Sequence, residues 1–246
     1  MSGAAPRQGR RTTAVVPLRD GVSGKSRLAA VLDAGSRRRL IRVLARHVVT
    51  TLLAADGIER VVVVTADPVF TRETLAGLEV RVLEQPGDRP GLNAALEHAR
   101  SVLAAGDAGR TVLEASDAGT SGAAAPGAQA PEDGRLLVAH ADLPALTPAD
   151  VAAILAEEAP VVVATDRNRS GTNLLLLPFG VASAGFRFRF GDGSLAAHLA
   201  EAEAHGLGAT VVQRPGTAVD LDTVDDWSQL PDEVRSAVGQ QVPGLL

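Results

Sequence analysis

Apolar positions along this chain fall into short runs separated by longer stretches of helical spacing, the pattern of strands and helices succeeding one another along a mostly parallel sheet. Thr13 to Leu18 is a β-branched run that reads as a first strand, and Val61 to Thr65, Val80 to Leu83, Leu136 to Ala139, Pro160 to Thr165 and Thr210 to Gln213 repeat the signal. Thr172 to Leu177 reads as a further buried run, with Thr172 at its mouth. Between the first two, Leu40, Ile41, Leu44, Val48 and Leu52 recur at helical spacing behind a candidate cap at Ser36, with Gly57 beyond the end. Helices are also expected from Gly91 through Leu103, from Thr147-Pro148-Ala149-Asp150 to about Glu158, from about Leu195 to His205, and after Thr223.

Three stretches lack such periodicity. Met1 to Arg11 mixes Gly, Pro, Gln and Arg and is expected to be a disordered arm. Residues 106–134 are rich in Ala, Gly, Ser and Asp with no sustained apolar face, which suggests a flexible insertion. Residues 12–230 then form a single domain and 231–246 a C-terminal tail.

Composition narrows the chemistry. A net charge of −5 and 2% aromatic residues argue against a nucleic-acid surface, which needs basic and stacking groups. With no cysteine, disulfides, thiolate metal sites and thiol nucleophiles are excluded. No run approaches membrane-spanning length, and the Arg-bearing start leads straight into a strand, so no membrane partner is expected and the cytoplasm is the default compartment.

The chemistry-bearing residues cluster where strands end. Leu136 to Ala139 runs into His140-Ala141-Asp142-Leu143-Pro144, so a buried strand delivers Asp142 to a sheet edge, either as a metal ligand or as a turn cap. Asp220 and Asp222 lie two apart in an extended stub and project together, a repulsion that a divalent cation would relieve unless Asp222 serves only as a helix cap. After the first strand, Arg19 to Leu28 is a flexible loop that ends in Gly24-Lys25-Ser26. A P-loop would need glycine where Arg19 stands, so the loop is not one, yet Lys25 and Arg27 can still reach phosphates as side-chain charges. The rigid loop Glu84 to Pro90 offers Gln85 and Gly87 to a purine edge, or is a plain turn. Gly191 to Ser194 meets a helix start, a seat for an anion or a simple cap. Oxygen-only ligands suit magnesium, and no serine or histidine triad is evident.

Ala14-Val15-Val16-Pro17-Leu18 with Lys25-Ser26-Arg27-Leu28, then Gly91-Leu92-Asn93-Ala94-Ala95, Ala141-Asp142-Leu143-Pro144, Gly171-Thr172-Asn173, Phe190-Gly191 through Ser194, and Val219-Asp220-Leu221-Asp222 occur in that order. Together, over about Thr13 to Leu230 without the insertion, they resemble the guanylyltransferases of coenzyme F(420) biosynthesis that act on 2-phospho-L-lactate or phosphoenolpyruvate. The resemblance implies an α/β fold, a Rossmann-like three-layer nucleotidyltransferase of glycosyltransferase-A-like type with a mostly parallel mixed sheet. It implies GTP and magnesium, with metal on Asp142, Asp220 and Asp222, and the acceptor's carboxylate or phosphate on Thr172, Gly191 and Ser194. Lys25 and Arg27 would act on the triphosphate, and Lys25, Gln85, Gly87, Gly91 and Asn93 would form the nucleotide site. A downstream deazaflavin transferase would be a partner. The Ala-, Arg- and Gly-rich composition would fit an actinobacterial source, for which the resemblance implies phosphoenolpyruvate as acceptor. The rival readings are a nucleotidyltransferase of the same fold serving another phosphorylated compound such as 3-phosphoglycerate, and a non-catalytic nucleotide-binding protein.

Overall fold

The computed structural model describes residues 11–19, 25–116, 134–180, 183, 185–242, 244 and 245. The expected arm before Arg11, Gly21 and Gly24 of the first loop, and residues 117–133 of the expected insertion lie outside the described residues.

Seven strands, β1 (Thr12–Leu18), β2 (Ile58–Thr65), β3 (Val80–Glu84), β4 (Arg135–Ala139), β5 (Val161–Thr165), β6 (Thr172–Pro178) and β7 (Ala209–Val212), form one sheet in the order β3-β2-β1-β4-β6-β5-β7. Every pairing is parallel except those of β6, which runs antiparallel to both β4 and β5. The helices are α1 (Ala34–Leu53), α2 (Pro68–Thr74), α3 (Leu92–Ser116), α4 (Pro148–Ala156), α5 (Ser194–Ala204), α6 (Val224–Gln229) and α7 (Asp232–Gly239). None of the described helices is long and apolar enough to cross a membrane.

Period-two alternation in the strands sorts the core into two faces. Ala14, Val16, Val61, Val63, Leu137, Ala139, Val162 and Ala164 pack with Ile41, Ala45 and Val48 of α1, Phe70 of α2, and Val151 and Ile154 of α4. Val15, Val62, Val64, Leu136, Val138, Val161 and Val163 turn the other way, onto Ala95, Leu96, Ala99 and Leu103 of α3 and Leu195 and Ala202 of α5. Both faces of the sheet are therefore covered, which is why these strands read as continuous apolar runs. This is the expected three-layer α/β arrangement with a mostly parallel mixed sheet.

Several local expectations shift. Asp33, not Ser36, caps α1: its carboxylate accepts from the Ser36 amide at 2.7 Å, and Ser36 sits one turn inside. Helix α2 follows Asp67-Pro68 where only a strand end was expected; Asp67 accepts from the Phe70 amide and Pro68 occupies the first turn. Helix α3 continues past Gly106 to Ser116, because a helix already nucleated extends over an isolated glycine at about 1 kcal/mol. Ser194 does not cap α5; Gly193, left-handed at φ 69°, holds that position.

A third, smaller core lies under the first loop. Leu28 and Leu32 from the loop, Leu40 and Leu44 from α1, and Val219 and Leu221 from the acidic stub pack with Val238, Val242 and Leu245. The segment expected as a tail therefore contributes a helix, α7, and three buried side chains to the support of the loop and the stub. Leu221 is fully buried between two acids that face the other way. Leu221→Ala is expected to lower unfolding free energy by about 2–5 kcal/mol, read as a reduced urea midpoint; an unchanged midpoint would show that this core does not bear on the fold.

Candidate functional site

Strand order reverses between β1 and β4: the chain steps outward through β2 and β3, then returns to place β4 on the other side of β1. Crevices form at the carboxyl ends of strands flanking such a switch point. Here a cleft of about 780 Å³ is lined by Pro17 and Leu18 at the end of β1 and Arg19 after it, Lys25, Ser26 and Arg27 of the loop, Val64 of β2 and Ala66 just beyond it, Gln85, Pro86 and Gly87 after β3, Gly91 before α3, Leu92 and Ala95 of α3, and His140, Asp142, Asp220 and Asp222.

Its floor is the acidic group. One carboxylate oxygen from each of Asp142, Asp220 and Asp222 lies within 4.8 Å of the others. Period-two projection puts Asp220 and Asp222 on one side and Leu221 on the other. The Leu221 amide donates to the Asp142 carbonyl at 3.0 Å, a single rung that holds the stub beside the end of β4. Lys25 closes the arrangement: its Nζ donates to Asp142 Oδ2 and to Asp222 Oδ1, both at 2.6 Å, from a side chain 8% exposed. Its backbone is left-handed at φ 58°, a conformation that costs a non-glycine residue about 1–2 kcal/mol and persists where the surroundings over-determine it.

Charges set the titration. Burial pulls the Lys25 ammonium down, but the adjoining Asp142 and Asp222 carboxylates outweigh it, leaving its pKa raised above 10.5. Burial pushes Asp142 up, and the Lys25 charge, His140 and the Lys25 hydrogen bond reverse this, leaving it below 3.8. Asp220 lacks a lysine partner; burial, then the Asp142 and Asp222 charges, raise it above 3.8. Among the described residues its Oδ1 takes only a long contact from Asn173 Nδ2 at 3.4 Å. Asp142 Oδ1 is buried with no hydrogen-bond partner among the described residues. An orphaned acceptor beside crowded carboxylates, with oxygen donors only, fits a hard divalent cation such as magnesium.

The other expected residues divide. Arg27 lines the cleft, exposed and without an ion pair among the described residues. Gln85, Gly87 and Gly91 also line it. The Gln85 Nε2 donates to the Arg89 and Gly91 carbonyls at 2.6 and 3.0 Å, which leaves its Oε1 as an acceptor. Asn93 is not in the lining: its Nδ2 donates to the Phe190 carbonyl at 3.0 Å and its Oδ1 accepts from the Phe190 amide at 2.9 Å, clamping the chain that leads to Gly191. Thr172, Gly191 and Ser194 form a separate cluster, in which the Thr172 amide donates to Ser194 Oγ at 2.9 Å. Asn173 joins this cluster to the acids, its carbonyl accepting from the His140 amide at 3.1 Å and its Nδ2 reaching Asp220. Asn173 and His140 went unassigned in the sequence because only the antiparallel course of β6 brings its start to the end of β4.

Two stability outcomes follow. Without divalent cations, Asp220→Asn is expected to raise Tm, since it removes one of three crowded charges and keeps an oxygen for Asn173; a lower Tm would refute the repulsion. The Lys25–Asp142 contribution to stability is complete between pH 3.8 and 10.5. It is lost on acidification as Asp142 protonates below its lowered pKa, and lost at alkaline pH as Lys25 deprotonates above its raised one. Lys25→Met is expected to abolish the alkaline limb in a series of pH-dependent thermal melts.

Comparison with known proteins bears on the family and the fold. Residues 105–231 match the family described as guanylyl transferase CofC like. The phosphoenolpyruvate guanylyltransferase of Rubrobacter xylanophilus is 41% identical over 221 residues, covering 88% of this chain and 92% of that protein. The 2-phospho-L-lactate guanylyltransferase of Methanothermobacter thermautotrophicus is 29% identical over 222 residues, covering 89% and 84%. Among solved structures, one described as a nucleotide-diphospho-sugar transferase from Desulfovibrio desulfuricans aligns with TM-score 0.63 at 14% identity over 95% of this chain and 92% of that one. A nucleotidyl transferase from Methanothermobacter aligns with TM-score 0.59 at 18% identity over 93% and 100%, a likeness of fold. With the sheet, the cleft and the acid group in place, the sequence match settles the family: this chain belongs to the CofC-like guanylyl transferases.

Proposed function

We propose that the protein transfers GMP from GTP to phosphoenolpyruvate, giving enolpyruvoyl-diphospho-guanosine and pyrophosphate in coenzyme F(420) biosynthesis, with 2-phospho-L-lactate as the alternative acceptor. The observation that carries this reading is the group of three carboxylates bridged by Lys25 on the floor of the cleft. Binding alone would not place three carboxylates against an anionic ligand, whereas phosphoryl chemistry needs cationic charge held between two anions. The relatives named for phosphoenolpyruvate, at 41% and 33% identity, favour that acceptor.

Asp142, Asp220 and Asp222 would hold magnesium, which when bound supplies neutralisation of phosphate charge at the reacting centre. Lys25 sits between Asp142 and Asp222 and would turn its ammonium to the triphosphate once those carboxylates have another cation to face. Arg27 would take the outer phosphates. A phosphate oxygen of the acceptor attacks the α-phosphorus in line, forming the new P–O–P bond as the bond to the β-phosphate breaks. The nucleophile is already ionised at neutral pH, so no general base is needed and the residues act by positioning and charge.

For the base, the cleft spans from β3 to β4, three strand spacings or roughly 14 Å, with apolar walls from Val64, Leu92 and Ala95 near the Gln85 loop. Gln85 Oε1, fixed as an acceptor, suits the exocyclic amino N–H of guanine.

Two measurements test this reading. Pyrophosphate release with GTP, magnesium and phosphoenolpyruvate is expected, and Asp142→Asn should lower it by roughly a hundredfold or more. No release, or a variant indistinguishable from the parent, would sink it, and strong preference for 2-phospho-L-lactate would correct the acceptor. Gln85→Ala should lower kcat/KM for GTP roughly tenfold while leaving ITP, which lacks the amino group, nearly unchanged; equal losses for both nucleotides would remove Gln85 from base reading.

A further inference from the structure

His198 is a buried imidazole that the chemistry above does not use, and its surroundings fix where its proton sits. The Arg189 backbone N–H, which can only donate, lies 3.0 Å from Nε2. Nε2 therefore carries the lone pair. Nδ1 lies 2.9 Å from Thr172 Oγ1, and a neutral imidazole with an accepting Nε2 must donate from Nδ1. Burial, then the charge of nearby His140, lower the His198 pKa to about 4, with Glu201 opposing and Arg189 assisting, so the neutral ring prevails at pH 7. The plane is held by Phe190, edge-on at 4.6 Å, and by Phe186, stacked at 6.2 Å.

This has a consequence for two hydroxyls. Thr172 Oγ1 accepts from the imidazole, so its own proton cannot go there. Ser194 Oγ accepts from the Thr172 amide at 2.9 Å, so its proton is likewise uncommitted. Thr172 and Ser194 are 1% and 3% exposed, and among the described residues neither hydroxyl proton has an acceptor. Buried donors left unpaired cost free energy; a ligand oxygen would satisfy both. Beside them Gly191, at φ 133°, would meet nothing within 4 Å of an added Cβ, which leaves open space over the backbone. The same imidazole pins Arg189, two residues before Gly191.

We propose that His198, with its proton on Nδ1, is a positioning residue that makes Thr172 a hydrogen-bond donor, so that Thr172 and Ser194 together present two protons to an anionic group of the acceptor. This rests on the reading that the acceptor's carboxylate or phosphate lies over Thr172, Gly191 and Ser194. His198 has both nitrogens engaged and takes no proton in the reaction. The opposite tautomer would set two donors against each other at Arg189 and would draw the Thr172 hydroxyl proton onto Nδ1, away from a ligand.

Substitutions separate the two halves of the imidazole. An asparagine at 198 places its amide N–H where Nδ1 stands and restores the donor to Thr172. A glutamine reaches the Nε2 position and restores the acceptor for Arg189 alone. His198→Asn is expected to keep KM for phosphoenolpyruvate within about threefold of the parent, and His198→Gln to raise it roughly tenfold or more, with KM for GTP unchanged in both. Thr172→Val added to His198→Gln should cost little more, as expected for residues acting through one contact. Long-range proton–nitrogen NMR of the unliganded protein at pH 7, with the His198→Asn spectrum assigning the signal, should show the proton on Nδ1. A proton on Nε2, equal behaviour of the Asn and Gln variants, or parallel rises in both KM values would overturn the role of His198. A parent protein inactive with both phosphorylated acids would instead overturn the functional reading and, with it, the identity of the anion.

Discussion

The site depends on one ammonium group. Lys25 Nζ sits 2.6 Å from both Asp142 and Asp222, carboxylates that enter from chain segments far apart in sequence, and it is nearly cut off from water. Removing an ion from water costs several kcal/mol, which the two charge-assisted hydrogen bonds offset. Asp220 is left over: it shares the repulsion of its neighbours and, among the described residues, takes no hydrogen bond from the lysine. Three acids and one lysine thus make an under-neutralised group, with one acid held more basic than usual and an oxygen of another unpartnered. Such a group is stable enough to fold and poised to gain from further positive charge.

Holding that group together is work for the apolar side of the same segments. Val219 and Leu221 alternate with Asp220 and Asp222, so burying the first pair in the small third core presents the second pair to the cleft. Leu28, three residues after Lys25, anchors the loop in the same core, and α7 with the residues after it closes that core from below. The rung from the Leu221 amide to the Asp142 carbonyl sets the stub against the sheet. Chemistry and packing are two faces of one short stretch of chain.

The antiparallel strand joins the second cluster to the first. Since β6 runs against β4, its first residues lie beside the end of β4, where a parallel strand would have delivered its last ones. Thr172 and Asn173 therefore sit at the carboxyl edge, Asn173 bonded to His140 and Asp220, Thr172 bonded to Ser194 and His198. From the opposite side, Asn93 at the start of α3 grips Phe190 by both backbone groups and sets the approach to Gly191.

Local patterns in the chain were enough to determine the strands, most helices and the layer architecture, because a covered parallel strand must be apolar on both faces and a helix must repeat every three to four residues. Adjacency in sequence likewise made Asp220 and Asp222 a pair, and the abrupt end of the Leu136 run marked Asp142 as an acid at an edge. Helix ends were less legible, as at Asp33, Asp67 and Ser116, since capping depends on which polar side chain meets the free amides. What lay beyond the sequence were contacts between segments distant along it: that Lys25 turns toward two acids, that Asn93 clamps Phe190, and that a core histidine fixes the proton of Thr172. Those contacts follow from strand order and from the reversed direction of β6, and no periodicity along the chain encodes which ends of which strands come to lie side by side.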